Sequence, residues 1–171
     1  MLGGFNIEED YFASPENDGW RDLAFTLEGS LVARVAAWFE QLEQWTADPH
    51  AHFRSIRRRV RNWDPGIAPV QLLIGGPTIG LSTWSRSIAR DLIHGEQLAM
   101  IMAYFAPAHR LRKRIRRIAV KGRTRLILAG KSDNPATIGA SRSLYRKLLR
   151  SRAPIFEFQP CKLHTKLIVL D

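Results

Sequence analysis

The sequence predicts an α/β chain, a layered fold in which a mixed β-sheet is flanked by helices. Two observations carry this. From residue 70 onward, short β-branched apolar runs alternate with amphipathic segments of helical length. The chain of 171 residues is also long enough for one hydrophobic core, or for half of a bilobal protein, but not for two full-sized domains.

Taken in order, residues 11–19 (YFASPENDG) are turn-rich, and the following run from Trp20 to Leu27 reads as a strand with Leu23, Phe25 and Leu27 on one face. Leu31, Val35, Trp38, Phe39, Leu42 and Trp45 then recur at three- and four-residue spacing. That pattern is a core-facing helix with Ser30 at its N-cap, and its tryptophans belong to the core. Residues 46–69 are polar, basic and proline-containing with weak periodicity, a connection with one short helix and the place for a boundary within the chain. After it come a strand over Val70–Ile74, a loop over residues 75–80, a helix near Trp84–Gly95, a strand over Leu98–Tyr104 and a helix over Ala108–Val120. Gly122 falls where a helix C-cap belongs. A strand over Thr124–Leu128, a loop KSDNP, a helix near Thr137–Arg150, a short strand Ile155–Phe158 and a final strand Leu163–Leu170 complete the chain. There is no internal repeat and no low-complexity tract.

Charge and cysteine content narrow the function classes. Lys and Arg number 26 against 16 Asp and Glu, a net +10, which favours anionic partners such as phospholipid headgroups or nucleic acid without choosing between them. The cations cluster in two runs, Arg54–Arg61 and Arg110–Arg117. In the second run Leu111, Ile115, Ile118 and Ala119 form a narrow apolar stripe, so the segment reads as a surface helix whose basic face is available to an anionic bilayer. Cys161 is the only cysteine, which rules out an intrachain disulfide and fits a reducing or cytoplasm-facing compartment. No run approaches the roughly 18 apolar residues needed to span a bilayer, so membrane contact by these residues is peripheral. The loop at 75–80 lacks the Gly-Lys-Ser/Thr ending of a P-loop and reads as a turn. His50 and His52 have no ligand-spaced companions and read as surface residues.

The strongest chemical signal is KLHTKLIVLD. His164 and Lys166 are two apart in an apolar, β-branched run, and on a strand such side chains project to one face. An imidazole can attack phosphorus or protonate a leaving oxygen near neutral pH, and an ammonium neutralises charge on phosphoryl oxygens. Asp171 lies an odd number of residues from both, so it would act from the strand end, orienting or buttressing. The full pattern His-x-Lys-x4-Asp should arise by chance on the order of once in a hundred chains of this composition.

This pattern resembles the signature of the phospholipase D superfamily, and the chain as a whole looks like a bacterial cardiolipin synthase. Gly3, Gly4, Phe5, Asn6 and Ile7 resemble the Gly-Gly-x-Asn-Ile element that follows the family's first His-Lys-Asp motif. Trp20, Arg21 and Asp22, then Glu28 and Gly29, resemble its Trp-Arg-Asp strand running into Glu-Gly. Gly76-Pro77, Tyr104-Phe105 with Pro107, Lys121-Gly122 and the Lys131-Ser132-Asp133 loop follow in the family's order. The resemblance implies a phospholipase D-like layered fold, present in part: residues 1–48 the tail of an N-terminal lobe, 49–69 a connection, and 70–171 a C-terminal lobe. The family uses two His-Lys-Asp motifs, and this sequence holds the second alone; the Gly-Ser-x-Asn element that follows it in the family is also absent, so the chain is expected to be an incomplete site by itself.

By the same resemblance His164, Lys166 and Asp171 are catalytic, His164 as the general acid opposite a phosphohistidine formed on the other motif. Lys166 and Asn6 would bind phosphate, Gly3 and Gly4 would let backbone approach the substrate, and neither cofactor nor metal is required. The implied function is phosphatidyl transfer or phospholipase D-type cleavage on anionic phospholipids, at the bacterial cytoplasm or the inner face of the cell membrane, with peripheral membrane contact. Two alternatives stand beside it: a phospholipase D-like nuclease, for which nucleic acid would be the partner, and a catalytically silent module. A homodimer that sets two copies of His164 face to face is a further arrangement known among the family's small members.

Overall fold

The computed structural model describes residues 2–76 and 82–171. In chain order the elements are β1 (Leu2–Gly3), β2 (Trp20–Arg21), β3 (Ala24–Phe25), α1 (Leu31–Ala47), α2 (Phe53–Asn62), α3 (Thr83–His94), β4 (Leu98–Met102), α4 (His109–Val120), β5 (Thr124–Ala129), α5 (Pro135–Leu149), β6 (Ile155–Phe158), β7 (Lys162–Leu163) and β8 (Lys166–Leu170). The α/β class expected from the sequence is the class observed. The chain divides into two compact units, one of Met1–Phe25 with Asp91–Asp171, the other of Thr26–Arg90.

The first unit is built on a four-stranded sheet ordered β6-β5-β4-β8. β4, β5 and β6 run parallel through the crossover helices α4 and α5, and β8 closes the edge antiparallel to β4. Alternation decides which side chains go inside: Leu98, Met100, Leu126 and Leu128 share the buried face, and each is at most 3% exposed. Ile115, Ile118 and Ala119 of α4 are buried with them, while the α4 arginines and lysine remain on the solvent side. Gly122 ends α4 in a left-handed conformation (φ +83°), its N–H donating to Ala119 O, a position where a Cβ would be strained. The sheet's other face is wetter and still apolar, with Val169 and Phe156 more than half exposed.

The second unit packs Trp38, Leu42 and Trp45 of α1 and Trp63 against buried Ile56, Val60 and Ile74. The tryptophans are core, as their spacing implies. Ser30 makes no side-chain cap bond and is itself helical, so α1 starts without the capping expected of it.

Three expected strands differ from those observed. Val70–Ile74 forms no strand, because its carbonyls are engaged elsewhere: Leu72 O accepts from the Trp63 indole at 2.7 Å and Ile74 O from the Trp84 amide at 3.3 Å. The run from Trp20 breaks after Arg21, since β2 pairs in parallel with β7 whereas β3 pairs antiparallel with β1; Leu23 and Phe25 are exposed. The final strand is likewise split, β7 lying beside β2 and β8 beside β4, with His164 and Thr165 at the break. Of the loop read over residues 75–80, positions 77–80 lie outside the described residues. No helix among the described residues is long and apolar enough to cross a membrane.

Candidate active site

The break between β7 and β8 is where the chemistry-bearing side chains meet. The amides of His164 and Thr165 both donate to Arg21 O, at 2.8 and 3.2 Å, and the Thr165 hydroxyl donates to the same oxygen at 3.1 Å. Thr165 O in turn accepts from the Ala103 amide at 3.1 Å, just past β4. The histidine is therefore sutured to β2 on one side and to the main sheet on the other.

Its ring is held at both nitrogens. Nδ1 lies 2.8 Å from Asp22 Oδ2, and the two side chains are only 13% and 3% exposed. A buried carboxylate facing a ring nitrogen demands a proton between them, so Nδ1–H donates to Asp22. Lys166 Nζ sits 3.1 Å from Nε2 and donates to His164 O at 2.7 Å. Desolvation lowers the ammonium's pKa below that of a free lysine, and the Asp22 charge opposes this. The second oxygen of Asp22 accepts from the Leu23 amide at 2.8 Å. The carboxylate fits because Gly4 has no side chain: a Cβ there would lie 2.7 Å from Asp22 Oδ2. Gly3 is similarly pressed against Ala24. The space these glycines leave is thus filled by the protein's own groups, Asp22 and Ala24, rather than being open to a substrate.

Aromatic rings wall the histidine. Tyr11, Trp20 and Tyr104 meet it edge-on at centroid distances of 5.2, 5.5 and 6.0 Å, and Tyr11 stacks on Trp20 at 5.6 Å. Lys166 Nζ lies 5.7 Å from the centre of the Tyr104 ring. Burial raises the pKa of both tyrosine hydroxyls, and the negative charge of Asp133 pushes each the same way, so both stay protonated donors near neutral pH.

The structure brings His164 and Lys166 together and places Asn6 one ring away, its amide donating to Tyr11 Oη at 3.2 Å. It does not bring Asp171 to them. Asp171 follows β8, roughly 16 Å of strand beyond Lys166, and its carboxylate accepts from Gln97 at 2.7 Å. The carboxylate on the histidine is Asp22, which sequence reasoning held only as part of a landmark. Its signal was a lone acid between Arg21 and Leu23 in a run read as an apolar strand. Trp20 stood in the same landmark, and Tyr11 gave no comparable signal. Among the described residues no three His, Cys, Asp or Glu side chains converge as a metal cage.

No family model matches the chain, and no solved structure matches it. Curated proteins do. The chain is 27% identical over 175 residues to Cardiolipin synthase B of Shigella flexneri and equally to that of Escherichia coli K12, covering all of this chain and 42% of each relative. It is 25% identical over 192 residues to Cardiolipin synthase 1 of Bacillus anthracis, covering all of this chain and 35% of the relative. The chain is therefore similar along its whole length to cardiolipin synthases, and it spans about two-fifths of the curated relatives it matches.

Proposed function

We propose that this chain supplies one half-site of a phosphatidyltransferase of the cardiolipin synthase type, acting on the phosphodiester of an anionic phospholipid. The observation that carries the reading is the line Asp22, His164, Lys166, in which a buried carboxylate holds a histidine whose second nitrogen lies beside an ammonium. Whole-chain similarity to cardiolipin synthases and the net charge of +10 support the choice of lipid substrate.

In this reading the Nε2 of His164 exchanges the proton. When protonated it delivers that proton to the leaving alcohol oxygen while a histidine of the complementary half-site attacks phosphorus, forming a phosphohistidine. Neutral again, it removes the proton from the acceptor hydroxyl as that oxygen attacks the phosphohistidine and frees the partner ring. Asp22 stabilises the imidazolium and keeps the ring oriented, the role a buried carboxylate plays behind a catalytic histidine. Lys166 and Asn6 hold the phosphoryl oxygens, and Asp171 steadies the far end of β8 through Gln97. The complementary half-site belongs to a further segment or to a second copy of this chain.

The test is a chimera in which this chain replaces the matched segment of Escherichia coli Cardiolipin synthase B, expressed in a strain that makes no cardiolipin. Lipid mass spectrometry should find cardiolipin, and His164→Asn should remove it. A folded chimera that makes none, or one indifferent to His164→Asn, sinks the proposal; cleavage of DNA without lipid transfer would favour a nuclease.

A further inference from the structure

We propose that the groove between α4 and α5 binds the phosphate of an anionic phospholipid headgroup, as a second site that shares no residue with the one around His164. This deepens the phospholipid reading and rests on it only for the choice of lipid as the carrier of the phosphate.

The groove has a volume of about 390 Å³, within the range of small-molecule sites. α4 contributes Arg112, Lys113 and Arg116 to its wall and α5 contributes Lys147, with no carboxylate among the lining residues. These four charges are conspicuous for their lack of counter-ions. Lys121, Arg123, Arg142 and Lys162 each meet a carboxylate, whereas among the described residues no ion pair involves the four groove cations. Like charges gathered around one concavity repel one another, and an anion that enters relieves this.

The site is also shaped. Arg116 Nε donates to Ser151 Oγ at 2.7 Å, and Ser151, 4% exposed, donates to Lys147 O at 3.2 Å, which ties the guanidinium to the end of α5. One of its five N–H groups is used, leaving the fork that suits phosphate oxygens. Leu144 gives the groove an apolar wall, with Leu148 buried behind it, suited to the glycerol carbons next to a headgroup phosphate rather than to a free, fully hydrated ion. α4 carries its cations away from the sheet because Ile115, Ile118 and Ala119 of its apolar stripe are buried.

The experiment measures vesicle binding of the full chain in a His164→Asn background, so turnover plays no part. Arg112→Gln with Lys147→Gln is compared with Arg54→Gln and Arg58→Gln on α2, which removes the same charge elsewhere. Phosphatidylcholine vesicles doped with phosphatidylglycerol should bind the groove variant on the order of 25-fold more weakly, given about a fivefold loss for each of its two cations, and the α2 variant, whose cations lie outside the groove, should lose far less. Equal losses in both variants would overturn the proposal, as would no loss in the groove variant with its thermal melt unchanged. Glycerol 1-phosphate, titrated alone and read at the His109 ring that borders the groove, should bind more weakly than the vesicle; tighter binding of the free ester would overturn the lipid assignment. Cardiolipin production by the chimera is scored separately, so failure of the groove leaves the His164 reading standing, and the reverse.

Discussion

Two carboxylates in the sheet-bearing unit each hold a nitrogen base, and the bonds are almost equal in length: 2.8 Å from Asp22 to His164 and 2.7 Å from Glu157 to Arg142. Glu157 is saturated. It accepts two bonds from Arg142, one from the Tyr145 hydroxyl and one from Gln159, and none of these partners changes charge near neutral pH. Burial and the Glu157 charge together push the Tyr145 hydroxyl up to about 12. Asp22 holds a ring that can take up a proton, and the ring's other nitrogen faces Lys166. In the proposed reading the two differ not in bond length but in the partner, since an imidazole can exchange a proton and the Arg142 guanidinium cannot. The Glu157 arrangement pins α5 to β6, and the Asp22 arrangement is the one proposed to move a proton.

The comparison can be broken in four places. In the chimera, Lys166→Met should reduce phosphatidyl transfer by roughly 10³-fold, because developing charge on the phosphoryl oxygens loses its neighbouring cation; an equally large fall in Arg142→Met would erase the distinction. Asp22→Ala should cost about 10²-fold, and ¹⁵N spectra of the His164 ring should show the Nδ1–H tautomer losing its dominance. Gly4→Ala drives a methyl against Asp22 Oδ2, so a loss of about tenfold with the same tautomer shift, though weaker, is expected. Glu157→Gln should leave transfer unchanged and lower stability by on the order of 1 kcal/mol in denaturant unfolding.

That last difference has a pH signature. The hydrogen bonds from Arg142, ahead of the other contacts, lower the Glu157 pKa below the ordinary carboxylate value. A lowered folded-state pKa means that the stabilisation is complete above the unfolded carboxylate pKa and is lost as pH falls through the folded value. Unfolding curves of the wild type and Glu157→Gln should therefore diverge near neutrality and converge in acid.

Much of this was legible in the sequence. β4, α4, β5, α5 and β6 follow one another by local alternation, and each element lies within a few residues of the range that periodicity assigns. His164 with Lys166 was legible because a two-residue spacing brings side chains together even across a strand break. The breaks themselves were not, since they depend on Trp20 and Arg21 finding Lys162 and Leu163 at the other end of the chain. Asp171 stood in the motif and so drew the orienting role, yet orientation of a ring is a matter of distance in space, and Asp22 is the acid that the β2–β7 pairing delivers. Val70–Ile74 failed for the converse reason: its composition is that of a strand, but Trp63 and Trp84 take its carbonyls first.

The suture at His164 also bears on the order of folding. Asp22 and His164 are separated by 142 positions, and closing a loop of that length costs about 4 kcal/mol of chain entropy before any contact within it is rewarded. The parallel crossovers β4-α4-β5 and β5-α5-β6 close far shorter loops and should nucleate first. Contacts that hold the histidine then belong to the downhill side of the transition state. Substitutions at Arg21, Asp22 or Thr165 should accordingly speed unfolding and leave the refolding rate almost untouched.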